Sequence, residues 1–225
     1  MMELFSRSVA FVLIVILSPF FLLISIFSLL FQGWPVLFKQ DRVGYGYTVF
    51  KLRKFRSMQK SMDESKITDA NDSRVTPWGR FLRATKLDEL PQLWNIMAGE
   101  MRFIGPRPEV EEFVKEDDFS FLKDIKPGLT DFSSILFRDE ATILAKKGGV
   151  EKYPELLKIK LSLGHLYAEH KGFWLDMKLV FITLISIFSS KRASRIVKKY
   201  FIEEYDHLGR MISNFIKSVE IGHKV

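Results

Sequence analysis

Hydrophobic patterning is strongest at the start of the chain. From Ser8 to Phe38 no residue is charged, and Val9 to Phe31 is almost wholly Val, Ile, Leu and Phe. A run of this length and composition reads as a membrane segment. It is too long for the apolar core of a signal peptide and no small-x-small cleavage site follows, so it is expected to be retained. Ser18-Pro19 lies near its middle, where proline removes a helical hydrogen bond and clashes with the carbonyl of Val15. At about 1.5 Å per residue, residues 9–18 and 19–31 extend roughly 15 Å and roughly 20 Å. Neither alone crosses a hydrocarbon core of about 30 Å, whereas the two together do. A re-entrant hairpin and one kinked spanning helix both fit. Hydropathy alone favours spanning, because serine hydroxyls can satisfy the freed carbonyls.

Residues 35–40 and 47–55 carry aromatic and β-branched positions around Val43-Gly44-Tyr45-Gly46, the pattern of a β-hairpin. Alternation places Lys51 and Arg53 on one face and Lys54 on the other with Phe50 and Leu52. Residues 58–74 are polar without periodicity and read as a loop. Trp78 to Leu82 and then Leu87, Leu90, Trp94 and Met97 recur at three and four residues, predicting helices joined near residues 84–86. A short strand at 101–104 runs into Gly105-Pro106-Arg107-Pro108, a rigid loop in which the prolines forbid helix. Residues 109–121 read as an acidic helix, Pro127-Gly128 as a turn, 133–137 as a strand and 154–170 as a helix. The uncharged run 179–190 is too short to span a bilayer. Followed by Lys191, Arg192, Arg195, Lys198 and Lys199, it reads equally as an interfacial helix or a buried core helix. The fold class is therefore α+β and mostly helical, with a small β-hairpin. An anchor over residues 1–38 precedes a cytoplasmic domain over 39–190 and a basic tail over 191–225.

A length of 225 residues bounds the chain to one domain with at most a small appendage. Its 34 Lys and Arg against 27 Asp and Glu give +7, and the excess is concentrated beside the membrane segment. Lys39, Arg42, Lys51, Arg53, Lys54, Arg56 and Lys60 stand there against the single acid Asp41. Each cation near an anionic leaflet is worth about 1 kcal/mol, and the asymmetry predicts cytoplasmic placement. The same belt can also serve as a phosphate-binding floor. With no cysteine, disulfides, Cys-based zinc sites and thiol nucleophiles are excluded. Nucleic-acid binding is not expected, because no recognition module is readable.

Leu87-Asp88-Glu89-Leu90-Pro91 sets two adjacent carboxylates at a predicted helix start. In a purely structural role Asp88 caps the helix and Glu89 complements its dipole. In a chemical role, Arg83, Lys86, Arg107 and the basic hairpin converge there. An ionised carboxylate could then attack phosphorus while the cations hold phosphate oxygens. Adjacent carboxylates also suit magnesium, which takes one or two of them plus substrate phosphates. Arg107, between prolines, offers a bidentate phosphate fork or closes its loop on Glu109. No dinucleotide or phosphate-loop lysine motif appears, and His165, His170, His207 and His223 lack a metal-ligand pattern.

These pieces occur in a characteristic order. They are the apolar segment with Ser18-Pro19; Gln40-x-Arg42-x-Gly44; Phe50-Lys51-x-x-Lys54-Phe55-Arg56-Ser57-Met58; Arg83-x-x-x-Leu87-Asp88-Glu89-Leu90-x-Gln92-Leu93-x-Asn95; Phe103-x-Gly105-Pro106-Arg107-Pro108; Pro127-Gly128-Leu129-Thr130; and Leu175-Asp176-x-Lys178. Over residues 8 to about 190 the chain resembles the bacterial sugar transferase family, the monotopic phosphoglycosyl transferases that start glycan assembly on a polyprenyl phosphate. The resemblance implies that the segment broken at Ser18-Pro19 is a re-entrant helix-break-helix in the cytoplasmic leaflet of the bacterial inner membrane. It implies that Asp88 attacks a UDP-sugar, releases UMP and passes a covalent phosphosugar to polyprenyl (undecaprenyl) phosphate. Glu89 would act as base or shape a magnesium site with Asp88, and Arg83, Lys54, Arg107, Pro108 and Arg138 would bind substrate. One stretch departs. The family usually continues into Gly-Trp or Gly-Leu and then Gln-Val-x-Gly-Arg, whereas residues 131–138 read Asp-Phe-Ser-Ser-Ile-Leu-Phe-Arg, with only Arg138 clearly matching. Asp131 and Ser134 thereby become candidate sugar contacts. The rival reading, a non-enzymatic basic membrane anchor or scaffold, leaves Asp88, Glu89 and Arg107 without a role.

Overall fold

A computed structural model of the chain describes residues 2–59, 68, 70–116, 118–202 and 206–221; His223 and most of the loop predicted at 58–74 lie outside them. Two helices open the chain, α1 (Met2–Ile16) and α2 (Ser18–Gln32), with a bend of 62° between them. Pro19 sits in the first turn of α2, where its missing N–H is tolerated. Ser18 Oγ donates to the Val15 carbonyl at 2.8 Å, satisfying the group that proline frees. Among the described residues no single helix is long and apolar enough to cross a membrane, whereas α1 and α2 together are. Phe11, Phe20, Leu23, Leu30 and Phe31 are exposed along this pair, while Ala10, Phe21 and Ile24 are buried.

The hairpin forms as the alternation requires. Strands β1 (Leu37–Val43) and β2 (Val49–Phe55) pair antiparallel from Leu37 with Phe55 to Val43 with Val49. A 3-10 turn at Tyr45–Tyr47, with Gly46 at φ 59°, joins them. Helix α3 (Pro77–Thr85) starts at Thr76, whose hydroxyl accepts from Gly79 N at 2.9 Å, with Pro77 in its first turn. It ends at Lys86, which takes the left-handed conformation. A 3-10 turn, Leu87–Glu89, then leads to α4 (Gln92–Ala98), closed by Gly99 at φ 81°.

Strands β3 (Arg102–Ile104) and β4 (Gly128–Thr130) make a second, parallel pair, so the turn predicted at Pro127-Gly128 runs straight into a strand. The acidic helix predicted over 109–121 is shorter, comprising α5 (Glu111–Glu116) and a 3-10 turn at Ser120–Lys123. Of residues 133–137, predicted as a strand, 133–136 are helical instead and Phe137 caps the helix. Helix α6 (Phe132–Leu136) is capped by Asp131, whose carboxylate accepts from Ser134 N at 2.7 Å, and this local cap outweighs the β propensity of Ile135 and Phe137. There follow α7 (Glu140–Lys147), α8 (Tyr153–His170), α9 (Phe173–Phe188), α10 (Ser190–Val197) and α11 (Asp206–Ile221). Helix α9 has two apolar faces, one buried at Leu179 and Ile182 and one exposed at Trp174, Phe181, Leu184 and Phe188.

Two hydrophobic clusters organise the molecule. One joins the opening helices to the hairpin, α3 and α4 through Ala10, Phe21, Leu52, Phe55, Leu82 and Ile96. The other joins α6, α8 and α9 through Phe132, Leu156, Tyr167 and Ile182, and includes Val197, Ile212 and Phe215 from beyond residue 190. The segment without a readable motif is thus part of a core. Phe103, on β3, packs against both clusters.

Candidate active site

The left-handed Lys86 interrupts the run of helix, so Asp88 and Glu89 share one tight turn that packs against α3 and β2. Glu89 accepts from Arg107 Nη2 at 2.5 Å, from Arg107 Nη1 at 3.3 Å and from Lys54 Nζ at 3.3 Å. Three separately predicted elements therefore meet at one carboxylate. Arg107 does not close its loop on Glu109, the structural role open to it from sequence. Burial by itself pushes Glu89 up, but Arg107, then Lys54 and Lys86, outweigh it and hold the carboxyl well below its ordinary 4.5. Burial pushes Lys54 down, with Glu89 opposing.

Asp88 behaves oppositely. It is 6% exposed, makes no capping hydrogen bond, and its Oδ1 has no hydrogen-bond partner among the described residues. The capping role that the sequence offered is therefore not taken up. Burial pushes its carboxyl above the ordinary 3.8, with Lys54 foremost among the opposing cations and Glu89 adding to the rise. Leaving a buried acceptor unpaired costs about 1–3 kcal/mol, and such atoms are rare enough to mark a site of function or strain. At the start of α4, Gln92 Nε2 is likewise buried and unpartnered among the described residues.

The other candidates divide. Arg83 Nε donates to Ser57 Oγ at 2.8 Å, and its charge acts on Asp88. Pro108 offers its carbonyl to Arg42 Nη1 at 3.1 Å. Arg138 Nη1 donates to Ser186 Oγ on α9 at 3.1 Å. Asp131 accepts from Ser133 Oγ and from Ser134 N and Oγ, so its oxygens serve the cap of α6, although its charge reaches Arg107. Ser18 and Pro19 form the bend already described. Asn95, fully buried, ties α4 to β2 by donating to Lys51 O at 2.8 Å and accepting from Arg53 N at 3.1 Å. Its signal in the sequence is a polar residue among Leu93, Ile96 and Met97.

Among the described residues no group of three or more His, Cys, Asp or Glu is arranged to hold a metal ion by itself. The dyad offers one carboxylate oxygen without a partner among the described residues and one carboxylate bound by cations. That set fits magnesium only where substrate phosphates complete the coordination.

The sequence profile of bacterial sugar transferases matches residues 1–190. The chain belongs to the bacterial sugar transferase family. It is 34% identical over 189 residues to the UDP-glucose:undecaprenyl-phosphate glucose-1-phosphate transferase of Klebsiella pneumoniae, covering 80% of this chain and 38% of that protein. Against the UDP-N-acetylgalactosamine-undecaprenyl-phosphate N-acetylgalactosaminephosphotransferase of Aeromonas hydrophila it is 30% identical over 185 residues, 79% of this chain and 41% of the relative. A UDP-glucose:undecaprenyl-phosphate glucose-1-phosphate transferase from Caulobacter vibrioides is 31% identical over 183 residues, 78% of this chain and 65% of the relative. The sugar transferase chain spans about two-fifths of the length of the first two relatives.

Proposed function

We propose that this sugar transferase moves a sugar 1-phosphate from a UDP-sugar to polyprenyl phosphate with release of UMP, through a covalent intermediate on Asp88. The observation that carries the reading is the asymmetry of the dyad: Glu89 is engaged at both oxygens by Arg107 and Lys54, whereas Asp88 keeps a buried oxygen without a partner among the described residues. The names of the relatives support the donor and acceptor classes.

An ionised Asp88 oxygen attacks the phosphorus that bears the sugar. The bond from that phosphorus to the bridging oxygen breaks, and UMP leaves with the electron pair. An oxygen of polyprenyl phosphate then attacks the same phosphorus, and Asp88 departs as a free carboxylate. Lys54, Arg83 and Arg107 stabilise the phosphate charge. A carboxyl held as low as that of Glu89 is a weak base at neutral pH, which favours a metal-shaping role for it over proton transfer. Magnesium held by Asp88 and Glu89 together with substrate phosphates would neutralise charge and polarise the phosphoryl oxygens. Pro108 shapes the loop that carries Arg107, and Arg138 contributes a further guanidinium for the substrate.

In this reading α1 and α2 form a re-entrant hairpin in the cytoplasmic leaflet of the bacterial inner membrane. Supporting it are the 62° bend, the exposed apolar flanks and the basic belt that follows. The outer face of α9 lies at the same interface, and the dyad is held near the depth of the lipid phosphate. The test is intact-protein mass after mixing detergent-solubilised protein with magnesium and a panel of UDP-sugars, without lipid acceptor. A gain of one phosphosugar is expected in the wild type and none in Asp88→Asn. Absence of both adduct and UMP release across a broad panel would favour the non-enzymatic anchor.

A further inference from the structure

Behind Arg107 lies a second buried charge cluster that the reaction above does not use. Glu109, 4% exposed, directly follows Pro108. Its Oε1 accepts from Lys160 Nζ at 2.5 Å, its Oε2 from Arg42 Nη1 at 3.1 Å, and its carbonyl from Val43 N at 2.9 Å. Arg42 also donates to Pro108 O at 3.1 Å and to Gln40 Oε1 at 2.8 Å and 3.1 Å. Lys160, on α8, is completed by Tyr153 Oη at 3.0 Å and by Glu140 Oε2 at 3.4 Å. Among the described residues, neither Glu109 nor Lys160 forms a hydrogen bond with Asp88 or Glu89.

Buried ion pairs contribute little net stability compared with apolar packing, so this cluster calls for another explanation. The loop itself supplies one. Pro106 and Pro108 have no N–H to donate, so the backbone on either side of Arg107 is held through carbonyls. Gly128 N holds Pro106 O at 2.9 Å, a backbone contact from β4. A side chain, Arg42, holds Pro108 O, and that side chain is fixed in turn by Glu109, which is fixed by Lys160. Arg107, Glu109, Asp131 and Lys160 also line one cavity of about 10 Å³.

We propose that Lys160 is a positioning residue for Arg107: through Glu109 and Arg42 it locks the Pro-Arg-Pro loop, so that the guanidinium is already in place for the diphosphate of the nucleotide sugar. The proposal rests on the functional reading above and adds a residue to it from outside the site.

The test uses the full chain carrying Glu109→Gln with Lys160→Met, which removes the lock without leaving a buried carboxylate facing a lost cation. Its melting temperature is expected to stay near that of the wild type. KM for the UDP-sugar is expected to rise about tenfold while kcat falls less than about threefold, the signature of a misplaced binding group. Exchange of the Gly128 amide hydrogen, which donates to Pro106 O at 2.9 Å, is expected to accelerate at least about tenfold with the β2 amides unchanged. Lys160→Arg, which keeps the charge, is expected to hold KM within about threefold of the wild type. Wild-type KM and wild-type exchange at Gly128 in the double variant would overturn the proposal. So would faster exchange spread evenly over β1, β2 and α4, which would make the cluster a general stabiliser. The exchange measurement needs no turnover: a wild type that releases no UMP would sink the functional reading, while exchange would still decide the positioning.

Discussion

Glu89 and Glu109 are carboxylates largely removed from water, with side chains 14% and 5% exposed, and each is held by one arginine and one lysine, Arg107 with Lys54 in the first case and Arg42 with Lys160 in the second. In both, the cations outweigh burial and keep the carboxyl below its ordinary value. They differ in closure. Around Glu109 the charges find partners on every side, and the cation side chains are only 16% and 8% exposed. Around Glu89 the cations are 24% and 23% exposed, and the adjacent Asp88 has an oxygen with no partner among the described residues. The same pairing chemistry thus serves opposite ends: a closed network fixes backbone geometry, and an open one leaves charge and an acceptor available to a ligand.

Breaking the open side is expected to have the largest effect on turnover and the least on folding. Asp88→Asn should lower UMP release by at least about 10³-fold, as loss of a nucleophile does, with a melting temperature at or above that of the wild type. The sign follows from linkage. The Asp88 carboxyl is raised on folding, so its favourable contribution is complete below its ordinary 3.8 and is lost as pH rises through the folded value. At neutral pH the ionised group opposes folding, and the amide relieves it. Calorimetry beside a UMP-release assay checks both halves; a large drop in melting temperature would make Asp88 structural.

Breaking the closed side should do the reverse. Lys160→Met leaves the buried Glu109 with Arg42 alone and is expected to cost about 3–5 kcal/mol in chemical denaturation, most of it recovered when Glu109→Gln is added. An unchanged denaturation midpoint in the single variant would show that Arg42 suffices. A smaller effect is expected where the two networks share a support, the contact of β3 with β4. A Cβ at Gly128 would lie 2.1 Å from Gly105 N and 2.4 Å from Gly105 O. Backbone must therefore shift, and Gly128→Ala should cost about 1–3 kcal/mol together with faster exchange on both strands. Normal stability in that variant would mean that the strands can part without disturbing either cluster.

What sequence could reveal follows the same division. The broken apolar segment, the hairpin and the Asp88-Glu89 turn are legible because their signals are local: a proline in an apolar run, alternation around glycines, adjacent carboxylates before Pro91. The cap of α6 was also local, since Asp131 stands three residues before the amide it accepts from, but Ile135 and Phe137 masked it. Lys160 carries no such signal. It lies within a predicted helix, 51 residues from Glu109, and only the folded chain shows why a cation is buried there. The segment beyond 190 reads as a basic tail because its apolar residues, Val197, Ile202, Leu208, Ile212 and Phe215, are spaced among charges and find their core only against α6, α7, α8 and α9.

The next effect is a pH dependence common to both clusters. Glu89 and Glu109 are lowered on folding, so their contribution is present above the ordinary 4.5 and is lost as pH falls through the lowered values. The melting temperature of the wild type should therefore fall on acidification below about 4.5, and less steeply once Glu109→Gln and Lys160→Met are combined; identical acid limbs would assign the loss to other carboxyls.

The smallest expected effect comes from a pair that looks strong by distance alone. Lys51 Nζ and Asp41 Oδ1 are 2.9 Å apart, closer than the 3.3 Å between Lys54 and Glu89, but their side chains are 64% and 61% exposed. Water screens such a pair and its side chains lose entropy in forming it, so exposed bridges contribute only about 0–1 kcal/mol. Asp41→Asn is accordingly expected to shift stability by less than about 1 kcal/mol, and to matter still less as salt is raised. Chemical denaturation at low and high ionic strength checks this. A loss approaching that of Lys160→Met, insensitive to salt, would mean that distance and not closure ranks these pairs, and the contrast between Glu89 and Glu109 would lose its basis.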